Sequence, residues 1–314
     1  MPDNISYTPE EVAKILRISR FTVYELIKRG DLVAYRVGER KMRIEAADLE
    51  HYKNKTKTAA PAAPRLPSAE MVERPLFSNQ EGLIICGQDV VLDILTRHLE
   101  KQMPYVRFLR YYAGSVDGLT ALYRGSANVV TTHLWDGDND EYNVPYVRRL
   151  LPGQRAVIIN LVYRMEGFYV APGNPKFIYD WPDLIRPDIR FVNRERGSGA
   201  RVLLDEKLRQ VDMDPCLIAG YEHEEMSHLA VASCVARGEA DVGLGVEKAA
   251  MQVSNLDFVP LQKERYDLVF LRRDLDKPHF QALLHTLRSP EFRDEVSGMS
   301  GYDISKMGEL IAEV

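Results

Sequence analysis

The sequence predicts an α/β protein with a small winged helix-turn-helix head and a larger body of two lobes. Three observations support this fold class. Helix and hairpin signals follow one another closely in residues 1–55, short apolar runs alternate with amphipathic helices in residues 76–314, and an Ala- and Pro-rich stretch, residues 56–75, separates the two. We therefore expect a head domain (1–55), a linker (56–75) and a body domain (76–314).

Charge is distributed unevenly along the chain, although the net charge is only −5. Of the 41 basic and 46 acidic residues, 12 and 9 lie in residues 1–57, which leaves 29 and 37 for the remainder. A basic head on an acidic body indicates that any contact with nucleic acid is made by the head.

The cellular compartment is predicted from the apolar segments of the chain, its N-terminal residues and its cysteines. The sequence contains no apolar run of about 18 residues and no basic start followed by an apolar core, so we expect a cytoplasmic protein without membrane contact. Cys86, Cys216 and Cys234 are widely spaced in apolar surroundings, which predicts reduced thiols in the core rather than a disulfide set or a metal site.

The head begins with two helix signals. Thr8 and Glu11 have the spacing of a capping box at the start of a helix over residues 9–16. Ser19 is expected to cap a second helix, which Gly30 ends. Two short helices joined by a tight turn form a helix-turn-helix.

A hairpin wing follows the two helices. Residues 32–37 and 41–44 alternate as two strands around residues 38–40, and residues 45–53 form a closing helix. The second helix is expected to enter the major groove, with the wing on phosphate or in the minor groove; a solvated basic surface is the alternative. The residues expected to contact DNA are Ser19, Arg20, Phe21, Thr22, Tyr24 and Lys28 in the helix and Arg36, Arg40, Lys41 and Arg43 in the wing.

The run YTPEEVAKILRISRFTVYELIKRGDLVAYRVGERKMRI, residues 7–44, resembles the excisionase/MerR-type winged helix-turn-helix family over nearly its whole length. The order of cap, helix, turn, helix, glycine and wing strands matches. The resemblance implies double-stranded DNA as a partner. We expect a homodimer, because one small head makes few base contacts.

The first part of the body alternates strands and helices. Residues 83–87, 106–112 and 127–132 are predicted strands, with helices over 90–99 and 116–124 between them. Alternation at this spacing predicts a mostly parallel, doubly wound sheet whose ligand lies beyond the carboxyl ends of the strands.

A second lobe is expected to follow. Strands over residues 157–164 and 168–171, divided at Gly167, lead into it, and strands over residues 258–260 and 266–271 lead back. Two crossings predict a hinge and closure on a ligand. The other predicted elements are helices over 180–185, 198–211, 224–236, 246–252, 280–287 and 290–296 and strands over 189–193 and 240–243.

A Gly-Ser turn between a strand and a helix occurs twice, at Gly114-Ser115 and at Gly197-Ser198. Helix N-termini carry partial positive charge and unpaired N–H groups, so two such turns facing one another across a cleft would hold a small anion. An ordinary strand-to-helix turn with a serine cap is the alternative at each position.

Ordered motifs of the body resemble the periplasmic-binding-protein-like domain of the molybdate-binding group, in its cytoplasmic, regulator-fused form. They include GSVDGLTAL (114–122), THLWD (132–136), YNVPY (142–146), FVNRERGSGARVLLD (191–205) and GEADVGLG (238–245). Asn128 departs from the acidic residue that is usual in the family. The resemblance implies a type II periplasmic-binding-protein-like fold and a sensor of a small oxyanion, molybdate or tungstate.

The ligand-binding residues expected from the turns and the resemblance are Ser115, Val116, Thr132, His133, Tyr142, Asn143, Asn193, Arg196, Ser198, Gly199, Ala200 and Arg201. The two serines are expected to donate through their hydroxyls. For Arg196 and Arg201, surface salt bridges with Glu195 or Asp205 are the alternative.

Other chemistries find little support. His223 and His228 are five residues apart, which places them on different faces of a helix, and the sequence has neither a P-loop nor a G-x-S-x-G elbow. We expect no catalytic residue, no metal site and no cofactor besides the oxyanion ligand. The main hypothesis is a one-component transcription regulator. The alternatives are an enzyme or carrier of molybdopterin metabolism with a docking head, and a DNA-binding protein whose body only dimerises.

Overall fold

The computed structural model describes residues 6–16, 18–37, 41–57 and 82–314. The chain divides into two compact units, Met1–Arg74 and Pro75–Val314. Nearly all of the predicted linker, from residue 58 onward, lies outside the described residues, as does the tip of the wing with Arg40.

The head contains α1 (Pro9–Leu16), α2 (Arg20–Lys28) and α3 (Ala46–Lys57). Its sheet contains β1 (Ser6–Tyr7), β2 (Tyr35–Val37) and β3 (Lys41–Glu45), with β3 in the middle and antiparallel to both neighbours. The sequence predicted the helices and the hairpin, but β1 was missed because two residues give no detectable alternation.

Side-chain caps fix the helix starts in the head. The Thr8 N–H donates to Glu11 Oε2 at 2.7 Å, and the Glu11 N–H donates to Thr8 Oγ1 at 3.2 Å, which confirms the capping box. Ser19 Oγ accepts a hydrogen bond from the Thr22 N–H at 3.1 Å. The core of the head is small and apolar: Val12, Ala13, Val23, Leu26, Leu32, Ile44 and Leu49.

The body begins with β4 (Gly82–Cys86), α4 (Val91–Gln102), β5 (Arg107–Tyr111), α5 (Ser115–Arg124), β6 (Val129–Thr132), β7 (Trp135–Asp136), β8 (Glu141–Tyr142) and α6 (Val144–Leu150). It continues with β9 (Ala156–Val170), a 3-10 helix (Trp181–Ile185), β10 (Phe191–Arg194), α7 (Gly199–Gln210), β11 (Glu224–Glu225), α8 (His228–Ala236), β12 (Val242–Val246) and α9 (Glu247–Ala250). It ends with β13 (Asp257–Leu271), α10 (Pro278–Arg288), α11 (Pro290–Ser297) and β14 (Leu310–Glu313).

One sheet runs through the body in the order β11-β10-β12-β9-β13-β6-β4-β5, and β14 also pairs with β9. Pairing is parallel within the outer parts, as in β10 with β12 and β4 with β5 and β6. It is antiparallel wherever β9 or β13 takes part. The prediction of parallel strands is therefore confirmed for the outer parts of the sheet and wrong for its centre.

The two central strands, β9 and β13, have 15 residues each and pair along almost their whole length. The predicted division of β9 at Gly167 is wrong, since this glycine stays in the strand. A Cβ at Gly167 would lie 2.2 Å from the Val259 carbonyl oxygen, so the glycine permits a close approach of β13. The strand β13 is also continuous, although its pairing register with β9 shifts between Pro260 and Gln262 and between Tyr266 and Asp267.

Two lobes form around this sheet, and each has helices on both faces. In the first lobe α4, α10 and α11 cover one face, and α5 and α6 cover the other. In the second lobe α7 and the 3-10 helix cover one face, and α8 and α9 cover the other. The predicted fold class, a winged helix-turn-helix followed by a two-lobed α/β body, is confirmed.

Two smaller predictions are wrong. The helix expected from residue 224 begins at His228, because Glu224–Glu225 pairs with β10 and Ser227 Oγ caps the helix by accepting from the Ala230 N–H at 3.1 Å. The three cysteines are free, but Cys216 is exposed rather than in the core. Among the helices in the described ranges, none combines the length and hydrophobicity needed to cross a bilayer.

Candidate ligand cleft and DNA-binding face

Four helices of the body begin at one cleft between the lobes, which encloses about 480 Å³. Val90, Gly114, Ser198 and Ser227 are the N-cap residues of α4, α5, α7 and α8, and all four line the cleft. Neither α7 nor α8 has an acidic residue in its first turn. Asp93 and Asp117 lie in the first turns of α4 and α5, so the partial positive charges that no acidic residue offsets are those of α7 and α8, and these suit an anion.

Arg194, at the end of β10, is buried and lines the cleft. Its Nε and Nη2 donate to the two carboxylate oxygens of Glu195 at 2.7 and 2.8 Å. Its Nη2 also donates to Gln88 Oε1 of the first lobe at 3.1 Å. Within the described residues Nη1 makes no hydrogen bond, so it remains available to a ligand.

The floor of the cleft is formed by Arg164 of β9 and Tyr266 of β13. It is polar, but carboxylates neutralise the charge of Arg164. Arg164 Nε donates to Glu264 Oε1 at 2.6 Å, and its Nη1 donates to Asp89 Oδ2 at 2.5 Å. The guanidinium carbon lies 3.9 Å from the centroid of the Tyr266 ring. Tyr302 donates to Asp89 Oδ1 at 2.6 Å, and burial raises the pKa of this tyrosine, so its hydroxyl stays protonated.

Two histidines and two glutamates lie beside this floor. His133 Nδ1 is 2.6 Å from Glu264 Oε2. Burial alone would raise the pKa of Glu264, but Arg164 and His133 outweigh it and hold the pKa below its ordinary value. Burial, and then the charge of Glu264, raises the pKa of Glu166. Burial, and then Arg194, lowers the pKa of His228, which keeps this imidazole neutral.

The two predicted Gly-Ser turns come together in the structure. The Val116 N–H donates to the Gly197 carbonyl oxygen at 3.0 Å, so this N–H is not free for a ligand. Ser115 Oγ accepts from the His133 N–H and Ser198 Oγ accepts from the Arg201 N–H, both at 3.3 Å. Each serine still has its own hydroxyl proton to donate, because both oxygens act as acceptors in these bonds.

Of the predicted ligand-binding residues, three line the cleft: Ser115, His133 and Ser198. Gly199 packs under the His133 imidazole, and Ala200 lies in the core of the second lobe. Thr132 is fully buried, and its hydroxyl has no partner among the described residues. Val116 supports the turn contact described above.

The remaining predicted residues make contacts within the protein away from the cleft. Tyr142 accepts from Gln262, Asn143 donates to Asp267, and Asn193 donates to the Tyr221 carbonyl. Arg196 is 70% exposed and pairs with Glu222, whereas buried Arg201 pairs with Asp205 and Glu224. These pairs correspond to the salt-bridge alternative, with Glu222 and Glu224 as partners that the sequence did not indicate.

Sequence reasoning missed several residues of the cleft: Gln88, Asp89, Arg164, Arg194, Ser227, His228, Lys248, Tyr266 and Tyr302. One signal was present for the floor. Arg164 and Glu166 interrupt the long apolar run AVIINLVYRMEGFYV, and charges two residues apart in a buried strand share one face.

The helix-turn-helix presents an exposed face on α2. Phe21 is 75% exposed, and Ser19, Arg20, Thr22, Tyr24 and Lys28 are also exposed. Arg20 packs near the Tyr24 ring and forms a 2.9 Å ion pair with Glu10. In the wing, Arg43 is partly buried and 3.9 Å from Glu11, while the side chains of Arg36 and Lys41 and all of Arg40 lie outside the described part of the chain.

Family comparisons agree with both units. A profile for a helix-turn-helix domain matches residues 6–57. A profile described as PBP superfamily domain matches residues 96–288, which is more than half of the chain. The chain belongs to the PBP superfamily. Both matched domains are of binding types, and their fusion is the domain organisation of a one-component regulator.

Relatives of this PBP superfamily member include "Uncharacterized protein YvgK" of Bacillus subtilis, which is 41% identical over 100% of both chains. A protein of Clostridium pasteurianum, "Uncharacterized protein in ferredoxin 2Fe-2S gene 5'region", is 50% identical over 36% of this chain and 100% of its own. The first relative shares the full domain organisation.

Solved structures show the fold of the body. The effector binding domain of a BenM variant has 14% identity and a TM-score of 0.50, covering 71% of this chain and 98% of its own. A putative phosphate ABC transporter substrate-binding protein from Clostridium perfringens has 14% identity and a TM-score of 0.51, covering 71% and 99%. The sulfate-binding protein SubI from Mycobacterium tuberculosis has 15% identity and a TM-score of 0.51, covering 71% and 86%.

Proposed function

We propose that this protein is a DNA-binding regulator whose body senses a small oxyanion, molybdate or tungstate, in the cleft between the lobes. The observation that carries the proposal is the convergence of four helix N-termini on a cleft that also contains an uncommitted Arg194 nitrogen. Such a cleft selects for negative charge before any particular ligand is considered.

The donors around the cleft suit a tetrahedral dianion. Ser115 and Ser198 approach from opposite lobes, and each oxygen accepts one backbone hydrogen bond, which leaves the hydroxyl proton free to be donated. Arg194 adds a charged N–H on the side of the second lobe. Binding through both lobes would stabilise the closed arrangement, because each lobe contributes donors to the same anion.

Relatives in the fold support an anionic ligand. Two of the solved structures named above are, by their descriptions, a sulfate-binding protein and a phosphate-binding protein with bound phosphate. The motifs of the body also resemble the molybdate-binding group. Sulfate, molybdate and tungstate share charge and tetrahedral shape, so size and donor geometry must distinguish them.

A larger organic anion is the second candidate, and the dimensions of the cleft favour it. The space of about 480 Å³ exceeds what a five-atom oxyanion fills and falls within the range of organic-ligand pockets, about 300–1,000 Å³. Tyr112, Tyr266 and Tyr302 give the lining aromatic surface. A ring with a carboxylate would use the aromatic surface and the helix N-termini together.

The exposed face of α2 supports double-stranded DNA as the partner. Its first-turn residues, from Arg20 to Tyr24, are the ones that a helix-turn-helix places against base edges. We propose that the protein acts as a homodimer and that lobe closure changes how two heads meet two half-sites.

The proposal is tested with the full chain, stripped of ligand under denaturant and refolded. Thermal shift with molybdate, tungstate, sulfate, phosphate and benzoate should show a rise for one class of anion. A ligand at 100 times its Kd adds about 2.7 kcal/mol of stability. DNA affinity, measured at one fixed salt concentration with and without that anion, should then change.

Variants locate the site. Arg194→Gln, and separately Ser115→Ala combined with Ser198→Ala, should weaken anion binding by at least tenfold, since charge-assisted bonds contribute about 1.5–3 kcal/mol each. Arg196→Gln is the matched control, because its guanidinium pairs with Glu222 on the surface. Equal losses of anion affinity in Arg194→Gln and Arg196→Gln would contradict the site. Turnover of a pterin substrate would favour an enzyme. No response to any anion would favour a body that only dimerises.

A further inference from the structure

His133, Glu166 and Glu264 form a buried cluster beside the cleft that the anion site does not use in full. One ligand atom from each of the three lies within 4.8 Å of the other two. All three side chains are buried. We propose that this cluster binds a divalent transition-metal ion of the Zn²⁺, Co²⁺ or Mn²⁺ class, a site that the sequence did not predict.

Rigid elements hold the three side chains. Glu166 and Glu264 belong to the central strands β9 and β13, which cross between the lobes. His133 follows β6, and its imidazole packs over Gly199, where a Cβ would lie 2.5 Å from the ring. The cluster therefore includes residues on the shared strands and a residue of the first lobe that touches the second.

Glu166 is the observation that points to a missing cation. Its side chain is 1% exposed, and among the described residues no donor group reaches its carboxylate oxygens, whose hydrogen-bonding neighbour is the carboxylate of Glu264. Two carboxyl groups that face one another in a buried site must share either a proton or a cation. A metal ion between Glu166, Glu264 and His133 would take the place of that proton.

The nearby guanidinium groups are already committed to other carboxylates. Arg164 binds Glu264 and Asp89, and Arg194 binds both oxygens of Glu195. Neither guanidinium donates a hydrogen bond to Glu166. A divalent cation would supply the positive charge that Glu166 needs to ionise.

The donor set suits this class of metal. One imidazole nitrogen and two carboxylate oxygens are ligands that Zn²⁺, Co²⁺ and Mn²⁺ accept, at about 2.0–2.2 Å for zinc. The metal would replace the present contact between His133 Nδ1 and Glu264. His228 offers the next imidazole, since its ring centroid is 6.1 Å from that of His133 and its Nδ1 is buried without a partner in the described chain.

The test uses the full chain after removal of metal with a chelator, in buffer without oxyanions, so that it is independent of the anion site. Equilibrium dialysis against Zn²⁺ and Co²⁺ should give one tightly held ion per chain. Bound Co²⁺ should show visible absorption bands typical of nitrogen and oxygen ligands in a low-symmetry site.

Two conservative variants assign the ligands. Glu166→Gln and His133→Asn should each weaken metal affinity by more than about tenfold. Exposed residues provide matched controls: Glu222→Gln and His223→Asn should bind the metal as the wild type does. Circular dichroism checks that each variant is folded.

The proposal is overturned if the stripped wild type takes up no more metal than Glu166→Gln, or if its Co²⁺ form lacks the bands. The wild-type spectrum decides the question even if a variant fails to fold. A Glu166→Gln protein that is more stable than the wild type, with no metal uptake by either, would instead identify Glu166 as a neutral buried acid and would also overturn the proposal.

Discussion

Gly199 shows how one missing side chain shapes the cleft. The first residue of α7 lies directly beneath His133, and a Cβ there would be 2.5 Å from Nδ1 and Cε1 of the imidazole. Gly199→Ala should therefore displace His133 from Glu264 and cost about 1–3 kcal/mol through overpacking. Urea unfolding measures the loss.

The matched control for this substitution is Gly298→Ala. The nearest atoms to a Cβ at Gly298 are backbone oxygens at 3.5 Å, an ordinary contact, so its unfolding free energy should change little. Equal effects at Gly199 and Gly298 would show that His133 moves aside freely and that the packing over α7 is loose.

The three cysteines should react with thiol reagents at different rates. Burial raises the pKa of Cys86 to about 12 and also raises that of Cys234, whereas Cys216 is exposed. Native protein should release one equivalent with Ellman's reagent and three after denaturation. Cys216→Ser should abolish the native reaction, and rapid reaction of a second thiol would show that the core opens readily.

Sequence reasoning found cleft-lining residues that stand in a local motif and missed cleft-lining residues whose position depends on tertiary structure. Ser115 and Ser198 were identified because a Gly-Ser turn before a helix is a local signal. Arg164 and Arg194 were missed because their charge faces the cleft only once β9 and β10 are placed in the sheet. Arg201 was predicted to be a ligand, with a salt bridge to Asp205 as the alternative, and the structure contains that salt bridge.

The segment between α11 and β14 connects to the central strands, and its stability should depend on pH. Asp303 accepts from Lys263 Nζ of β13 at 2.5 Å and from the Ser305 N–H at 2.8 Å. Its backbone also pairs with Tyr163 of β9. Lys263, and then the Ser305 N–H, lowers the pKa of Asp303 to about 2.

A depressed carboxyl pKa stabilises the folded state above the unfolded pKa, near 3.9, and this contribution is lost as pH falls toward the folded value. Asp303→Asn should therefore lower the urea midpoint at pH 7. The difference in urea midpoint between this variant and the wild type should become smaller as the pH falls from about 4 to about 2. Asp276→Asn is the control, since its carboxylate is 85% exposed. A difference in urea midpoint that does not change with pH would show that the ion pair between Asp303 and Lys263 contributes nothing to stability.

Helix boundaries could be predicted where a capping residue fixes them. The full length of the strands β9 and β13 could not be predicted. Thr8 and Ser19 fixed the starts of α1 and α2, while Ser227 was overlooked and the start of α8 was placed too early. Gly167 was interpreted as a break because glycine usually ends strands, yet here it permits β13 to approach. That reason becomes visible only when the partner strand is known.

At the scale of the molecule, the β7–β8 hairpin of the first lobe is attached to the second. Trp135 is 3% exposed and belongs to the apolar core that contains Leu203 and Leu204 of α7. Lys207 Nζ lies 3.7 Å from the centroid of the indole, and Gln210 donates to the Gly137 carbonyl at 2.7 Å. The lobes are therefore held together beside the cleft as well as through β9 and β13.

Trp135→Ala should release this attachment. We expect a loss of about 3–5 kcal/mol in unfolding free energy and a larger radius of gyration in small-angle X-ray scattering, because the lobes can separate. Trp181→Ala is the matched control, since Trp181 is equally part of that core but lies wholly in the second lobe. An unchanged radius for Trp135→Ala, or the same increase in both variants, would contradict the attachment.

The two-lobed architecture was predictable mainly through ordered motifs. Strand and helix alternation gave an α/β body, but it gave the wrong pairing at the centre, since short apolar runs do not reveal whether neighbouring strands are parallel. The contact between Val116 and Gly197 joins residues far apart in sequence, so no local pattern could indicate that the two turns meet.

The central strands have a consequence for synthesis on the ribosome. The second lobe comes from one uninterrupted stretch of chain, whereas the first combines α4 with α10 and α11 and needs β14 beside β9. Domains generally fold as they emerge, N-terminal parts first. We therefore expect the helix-turn-helix to be folded while the first lobe still waits for its final strand, so a nascent chain acquires the ability to bind DNA before it can sense a ligand.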